Sequence, residues 1–399
     1  MSTSIDLRTS RRNVLLLALS QGLFMIGTST MIAEAALVGY ALAENKALAT
    51  LPTGLQQVMV MVTAFPASLL MQRVGRRWGF TVGALFGILG AAVATLGVLQ
   101  ASFLMFCLGT VLTGVYNGFG QFYRFAAVDG STDAWRSKAI SYTLAGGVIA
   151  AVIGPELAKL TKDLLAPVTY AGSFAALVGV AAIALLVLQF IRIPPPSAAE
   201  RSEAGRPLLE IARNPSFLVA VFAAMVGYGG MALVMTVTPL AMVSHHHAFE
   251  SAALVIQWHV LAMFAPSFVT GSLISRFGVL RIMMAGALLF VAAVAVHLSG
   301  TGVPQFWLGL VLVGVAWNFL YIGGTALLTQ TYNPAEKAKV QAVNDFLVFG
   351  SVALCALSSG ALHEGQGWAA LNLVVLPFVG ATLLAVVWLE LRRRRPASA

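Results

Sequence analysis

Long uncharged stretches recur along the chain, each closed by a short polar or charged interval. Many exceed the roughly 20 residues that a helix needs to cross a hydrocarbon core. The ~10-residue alternating segments of a transmembrane β-barrel are absent. The pattern predicts twelve spanning helices. In the first half they cover Asn13–Leu42, Gly54–Gln72, Phe80–Leu99, Phe103–Ala127, Ile140–Lys159 and Val168–Ile191. In the second half they cover Phe217–Val243, Ala252–Ile274, Val279–Leu298, Phe306–Leu328, Val340–Leu362 and Ala369–Leu391. The longest polar interruption, 194–214, opens with Pro194, Pro195 and Pro196 and carries mixed charges. It reads as a cytoplasmic linker between two six-helix bundles, 1–193 and 215–399. The fold class is therefore an all-α membrane protein.

Composition sharpens this picture. Only 10% of the residues are charged, against about 25% in ordinary globular chains. The net charge of +9 raises the question of nucleic acid, and its distribution answers it. Basic residues gather at Arg8, Arg11 and Arg12, at Arg73, Arg76 and Arg77, and at Arg136 and Lys138. They gather again at Arg192, Arg201, Arg206 and Arg213, at Arg276 and Arg281, at Lys337 and Lys339, and at Arg392 to Arg395. These clusters fall on alternate loops and the termini, while the opposite loops hold Lys46, Lys159 and Lys162. This is the positive-inside pattern of a multi-pass protein with both ends in the cytoplasm. The partner it implies is the lipid bilayer, with the final arginines at its anionic cytoplasmic face; no nucleic acid is expected. Arg11 and Arg12 before an apolar stretch imitate a signal peptide, but the stretch is too long and lacks a cleavage site. Cys107 and Cys355 both sit in apolar spans and imply neither a disulfide framework nor a metal motif.

The two halves repeat. Leu70-Met71-Gln72-Arg73-Val74-Gly75-Arg76-Arg77 follows the second span and Leu273-Ile274-Ser275-Arg276-Phe277-Gly278 follows the eighth, with Gly75 and Gly278 separated by 203 residues. Gly114-Val115-Tyr116-Asn117 is echoed by Gly314-Val315-Ala316-Trp317-Asn318. Parallel six-span repeats are one transporter architecture. The loop after the second span resembles the G-x-L-a-D-R-x-G-R-R signature of the major facilitator superfamily, with Ser68 in place of the first glycine and Gln72 in place of the acid. In the second copy Ser275 takes the acid's position. The resemblance implies a latch at the cytoplasmic gate, built differently here. Gly146, Gly147, Gly154 and Pro155 resemble that family's fifth-span stretch, and small residues at this spacing suffice for close packing.

The candidate chemistry lies in the seventh and eighth spans. Met231 and Met235 share one helix face, as do His259 and Met263. At about 1.5 Å per residue, Met235 and His259 lie ~10 to 12 Å below the outer helix ends and Met231 and Met263 ~16 to 18 Å. Three thioethers and one imidazole at matched depth would suit Cu(I), a soft ion. Pro239 leaves the carbonyl of Met235 without its helical donor and predicts a kink beside the site. The M-x-x-x-M and H-x-x-x-M pair resembles the signature of CcoA-type bacterial copper importers. That resemblance implies the ligand role for Met231, Met235, His259 and Met263, a place in the inner membrane, and copper supply to cbb3-type cytochrome c oxidase assembly. It also implies contact with a cytoplasmic copper chaperone or oxidase assembly factors. A sister branch resembles riboflavin importers, and those four residues separate the two.

Other residues add to this reading. His245, His246 and His247 form an outward-facing run that could capture metal or simply be solvated. Glu34 with Met31 one turn before it, and Asp345, are acids and a neighbour placed to line a pathway or couple a proton. Arg124 is placed to pair with an acid near the inner face. His297 and His363 lie near outer helix ends, where water is within reach. No P-loop, nucleophile constellation or dinucleotide fingerprint is present, so neither catalysis nor a bound cofactor is expected. The expected function is copper import by alternating access in a monomer. The competing expectation is transport of an organic solute such as a flavin, with Trp258, Trp317, Tyr228 and Tyr321 as stacking surfaces.

Overall fold

The computed structural model describes residues 7–45, 48, 51–129, 131–132, 135–194 and 205–394. Lys46, residues 195–204 of the linker including Arg201, and Arg395 lie outside the described residues. So do the side chains of Pro155, Lys159 and Pro239, and with the last of these the expected kink.

Among the described residues, twelve helices are long and apolar enough to cross a membrane. We number them α1 (Leu7–Leu42), α2 (Leu51–Val74), α3 (Arg76–Leu99), α4 (Phe103–Asp129), α5 (Arg136–Ala158) and α6 (Ala171–Leu188). The second six are α7 (Pro215–Ser244), α8 (Leu254–Phe277), α9 (Val279–Leu298), α10 (Val303–Leu328), α11 (Lys337–Ser359) and α12 (Gly365–Arg394). Helix is the natural outcome because lipid offers no partner to backbone amides and carbonyls. The ends differ from expectation where polar residues take part in packing. α1 starts six residues before Asn13, whose side chain donates to the Arg192 carbonyl and accepts from the Arg192 amide, both at 2.9 Å. α6 starts only at Ala171, after Tyr170 turns into the left-handed region at φ 71°. α8 is broken between Phe264 and Ser267, where Pro266 has no amide proton to continue the helix.

The chain divides into two compact units. The first holds Met1–Trp135, Tyr142–Glu203 and Gln341–Phe346; the second holds Arg136–Ser141, Ala204–Val340 and Leu347–Ala399. Each unit thus takes a short stretch of one helix from the other half of the sequence: 136–141 of α5 and 341–346 of α11. In the first unit an apolar core gathers Met31, Phe106, Phe174 and their neighbours, with the Phe106 and Phe174 rings 5.1 Å apart.

The repeat is visible in how each unit packs. Gly75 and Gly278 both hold positive φ, 84° and 90°, which only glycine adopts without strain. A Cβ added to Gly83 would meet Phe119 Cβ at 2.6 Å, and one added to Gly286 would meet Phe319 Cβ at 2.9 Å. Likewise a Cβ added to Gly114 would meet the Gln56 carbonyl at 2.6 Å, and one added to Gly314 the His259 carbonyl at 2.8 Å. The register is therefore 203 residues for α2, α3 and their counterparts, and 200 residues for α4 and α10. This keeps the Gly114–Gly314 pairing of the sequence echo and breaks its asparagine pairing. Asn117 occupies the position of Trp317, and Gly118 occupies that of Asn318.

Candidate functional site

His259 is fully buried, and its Nδ1 lies 2.7 Å from the Leu310 carbonyl of α10. A carbonyl can only accept, so Nδ1 carries the proton and Nε2 keeps its lone pair. Nε2 is buried and has no hydrogen-bond partner. The first unit repeats this link with other atoms. Gln56, the counterpart of His259, donates to the Thr113 hydroxyl at 3.3 Å, and Thr113 donates to the Thr110 carbonyl at 2.9 Å. Thr110 is the counterpart of Leu310. One reason for a polar side chain at this depth is thus the joining of two helices, met once by imidazole and once by a carboxamide relay.

A second polar seam continues the α8–α10 contact. The Asn318 amide donates to the Met263 carbonyl and to the Ser267 hydroxyl, both at 2.6 Å, and its oxygen accepts from Thr270 at 2.7 Å. It lies beside the break at Pro266, where helix carbonyls lose their usual donors. Interhelical bonds of this kind hold bundles together where hydrophobic burial cannot. Sequence reasoning missed Asn318 because an asparagine inside an apolar run does not reveal its partners.

The four proposed ligands lie on α7 and α8, and both helices pack on α10. Met263 is 5% exposed and Met231 2%, while Met235 is half-buried. Met231 lies one turn beyond Gly227, which abuts Leu320 of α10, so the α7 methionine face turns toward α10. The backbone of that turn of α8 passes close to Gly314: a Cβ added there would meet the His259 carbonyl at 2.8 Å and the Met263 amide at 3.1 Å. Among the described residues no three His, Cys, Asp or Glu side chains gather as a metal site, so a soft ion would depend on the thioethers.

The same region of the second unit holds an aromatic cluster. Tyr228 meets Trp317, Tyr321 and Phe349 edge-on, with ring centroids 5.3, 5.1 and 5.5 Å away. Trp317 stacks on Tyr321 at 5.1 Å and 24°, and Phe264 closes on Trp317 at 5.4 Å. Trp317 is 1% exposed and its indole N–H has no partner, although a buried indole usually finds one. Of the four expected stacking residues Trp258 does not join: it is 44% exposed and pairs with Trp307.

The remaining candidates are placed as follows. Glu34 is 5% exposed; its Oε1 accepts from Ser173 at 3.1 Å, while Oε2 has no partner. Met31 belongs to the apolar core of the first unit. Asp345 pairs with Arg124, each 1% exposed, and accepts from Asn344 at 2.8 Å. The histidine run is not a free loop. His246 adopts φ 64° and the His247 amide bonds the Met242 carbonyl, which caps α7. His247 Nε2 lies 2.6 Å from the Thr301 carbonyl, and His245 and His247 both pack on Phe306. His297, expected near water, is 2% exposed and lies 2.8 Å from Asn372 Oδ1.

Polar clamps replace the acid missing from the loop after α2. Arg76 reaches Asp129 at 2.8 Å and Gln341 at 2.7 Å, all within the first unit. In the second unit the end of the linker is tied down. Asn333 and Glu336 form a reciprocal capping box before α11, with bonds of 3.0 and 3.1 Å. Arg206 grips both oxygens of Glu336 at 2.7 Å. The Arg206 guanidinium, against some opposing burial, holds the Glu336 carboxyl down to about 2 from its ordinary 4.5. The N-x-x-E spacing announced the cap; nothing in the sequence announced that Arg206 would sit on it.

The model of the Major Facilitator Superfamily matches residues 17–264 and 220–399. Over 386 residues the chain is 41% identical to the riboflavin transporter RfnT of Brucella anthropi, covering 96% of each chain. It is 29% identical over 381 residues to YdeG, an uncharacterized MFS-type transporter of Bacillus subtilis, covering 91% of this chain and 88% of that one. The crystal structure of the transporter FucP in its outward conformation matches with a TM-score of 0.75 at 17% identity, over 96% of this chain and 99% of that one. The human organic anion transporter MFSD10 matches with a TM-score of 0.77 at 14% identity, over 94% and 99%. Both structural likenesses concern the fold alone. The curated relative with a named substrate is a flavin transporter, where the motif resemblance had pointed to copper.

Proposed function

The chain belongs to the major facilitator superfamily, and within it we propose that this protein carries riboflavin or a similar flavin across a cytoplasmic membrane. The observation that carries the reading is the aromatic cluster of Tyr228, Trp317, Tyr321 and Phe349. It stands in a chain that is 41% identical to a riboflavin transporter over 96% of its length. Face-to-face contact between an aromatic side chain and a heterocyclic base contributes about 1–3 kcal/mol. The indole N–H of Trp317 supplies an unused donor for a heterocycle's carbonyl or ring nitrogen. The test is flavin uptake into liposomes holding the purified protein. Trp317→Ala should lower uptake at least tenfold at wild-type protein levels; undiminished uptake would remove the cluster from the reading.

A second reading, copper import through Met231, Met235, His259 and Met263, keeps one supporting observation. A metal-binding histidine commonly donates its other nitrogen to a carbonyl, which fixes the tautomer, and His259 does this toward Leu310 while leaving Nε2 unpaired. Gln56 weakens the argument, since it makes the matching link in the first unit without any soft ligand. The chaperone and oxidase-assembly partners belong to this second reading. Riboflavin uptake that ignores added copper and survives Met235→Ala would set it aside. Copper accumulation that falls in Met231→Ala and His259→Ala proteins would restore it.

A further inference from the structure

The register of the repeat sets Asn117 at the place of Trp317, and the two residues have different surroundings. Trp317 sits in the aromatic cluster. Asn117 instead lines a cavity of about 20 Å³ inside the first unit, bounded also by Met31, Gln56, Thr113 and Tyr116. A space of this size admits one or two water-sized groups.

Asn117 is 5% exposed, and among the described residues its carboxamide makes no hydrogen bond. Gln56 is 2% exposed and is oriented by its bond to Thr113. A carboxamide left unpaired within an apolar bundle is unfavourable, so the cavity selects for an occupant that completes it. The lining carries no charge, which disfavours an ion. A carboxamide offers one acceptor and two donors, and a neutral hydroxyl, both donor and acceptor, matches it.

We infer that Asn117, with Gln56 and Thr113 forming the wall, receives a hydroxyl of the carried solute's polyol chain. It thereby favours hydroxylated flavins over flavins that lack the chain. This rests on the flavin reading. Water offers the same hydroxyl chemistry, and the measurements below separate the two sources.

The experiment measures flavin fluorescence quenching by the purified full-length protein in lipid nanodiscs. The probes are riboflavin, which bears a ribityl chain, and lumiflavin, which bears a methyl group in its place. Wild-type protein should bind riboflavin about tenfold more tightly than lumiflavin. Asn117→Leu should abolish that preference while leaving lumiflavin affinity unchanged. Thr113→Val places the second unit's own residue, Val313, at the equivalent position and releases Gln56, so it should reduce the preference in a protein that folds. Weakening of both flavins alike, or of neither, in both variants would show that the cavity holds only water and would overturn the assignment. A wild-type protein that binds neither flavin would overturn the transport reading and this assignment with it. Flavin binding with no chain preference in the wild type would overturn the assignment alone.

Discussion

Replacing Asn318 with leucine removes three interhelical hydrogen bonds at nearly constant volume. The bonds run to the Met263 carbonyl, the Ser267 hydroxyl and the Thr270 hydroxyl at 2.6, 2.6 and 2.7 Å. Such bonds in membrane proteins average ~0.6 kcal/mol and reach ~1.7. The sum is about 2 kcal/mol, with a ceiling near 5. The single Thr270 hydroxyl proton has the Pro266 carbonyl, 2.8 Å away, as an alternative acceptor, so that hydroxyl keeps a partner. Ser267 can turn its hydroxyl onto its own helix in the same way. That leaves the Met263 carbonyl as the group most clearly orphaned and favours the lower figure. A unit of 150–250 residues melts ~2–4 °C lower per kcal/mol, so about 4–8 °C is expected. The measurement is thermal unfolding of the detergent-solubilised protein. Asn318→Asp should melt lower still, because it keeps the shape, loses both amide donors and brings a carboxylate into an apolar interior. Asn117→Leu, at a position with no side-chain hydrogen bond, should stay within about 2 °C of wild type on the same scale. The seam's role would be refuted if Asn318→Leu melted with the wild type, or if the aspartate melted above the leucine.

Other outcomes follow from the same geometry. Asp345→Ala should destabilise by about 3–5 kcal/mol because it takes the counter-charge from a buried Arg124 cation, while Arg124→Leu with Asp345→Leu should recover most of that loss; thermal melts of single and double variants decide. Gly314→Ala places a methyl 2.8 Å from the His259 carbonyl and should cost about 1–3 kcal/mol, with Gly114→Ala behaving alike in the first unit; wild-type melting of both would contradict the shared register. The folded state holds the Glu336 carboxyl at about 2, below its ordinary 4.5. Its contribution is therefore complete above pH 4.5 and fades as pH falls toward 2. A pH series of melts should show Glu336→Gln less stable than wild type near neutrality, with the gap closing in that acid window. An unchanged gap would remove the Arg206 grip from the account.

The membrane class, the number of spans and the internal repeat were legible in the sequence. Each follows from composition and spacing along one dimension: apolar length against bilayer thickness, and a glycine recurring after the second and eighth spans. The superfamily was legible for the same reason. Much of the candidate site was not. His259 stood out as an imidazole in an apolar span, but its link to Leu310 depends on α10, which begins some forty residues later. His247 and His297 read as watery until α7 was capped and α9 was packed. Copper was inferred from four residue types at matched depth, and depth along a helix does not say which way a face turns.

What the sequence alone determined is where helices begin and end to within about six residues, since lipid forbids unpaired backbone and leaves helix as the outcome. Only the tertiary structure decided whether α4 and α10 correspond through the glycines or through the asparagines of the sequence echo. A shift of one residue turns a helix by about 100°, from the 3.6-residue turn. That rotation exchanges the partners assigned by the sequence echo: Asn117 matches Trp317 beside a cavity and an aromatic cluster, and Asn318 becomes a clamp where the other half has only glycine.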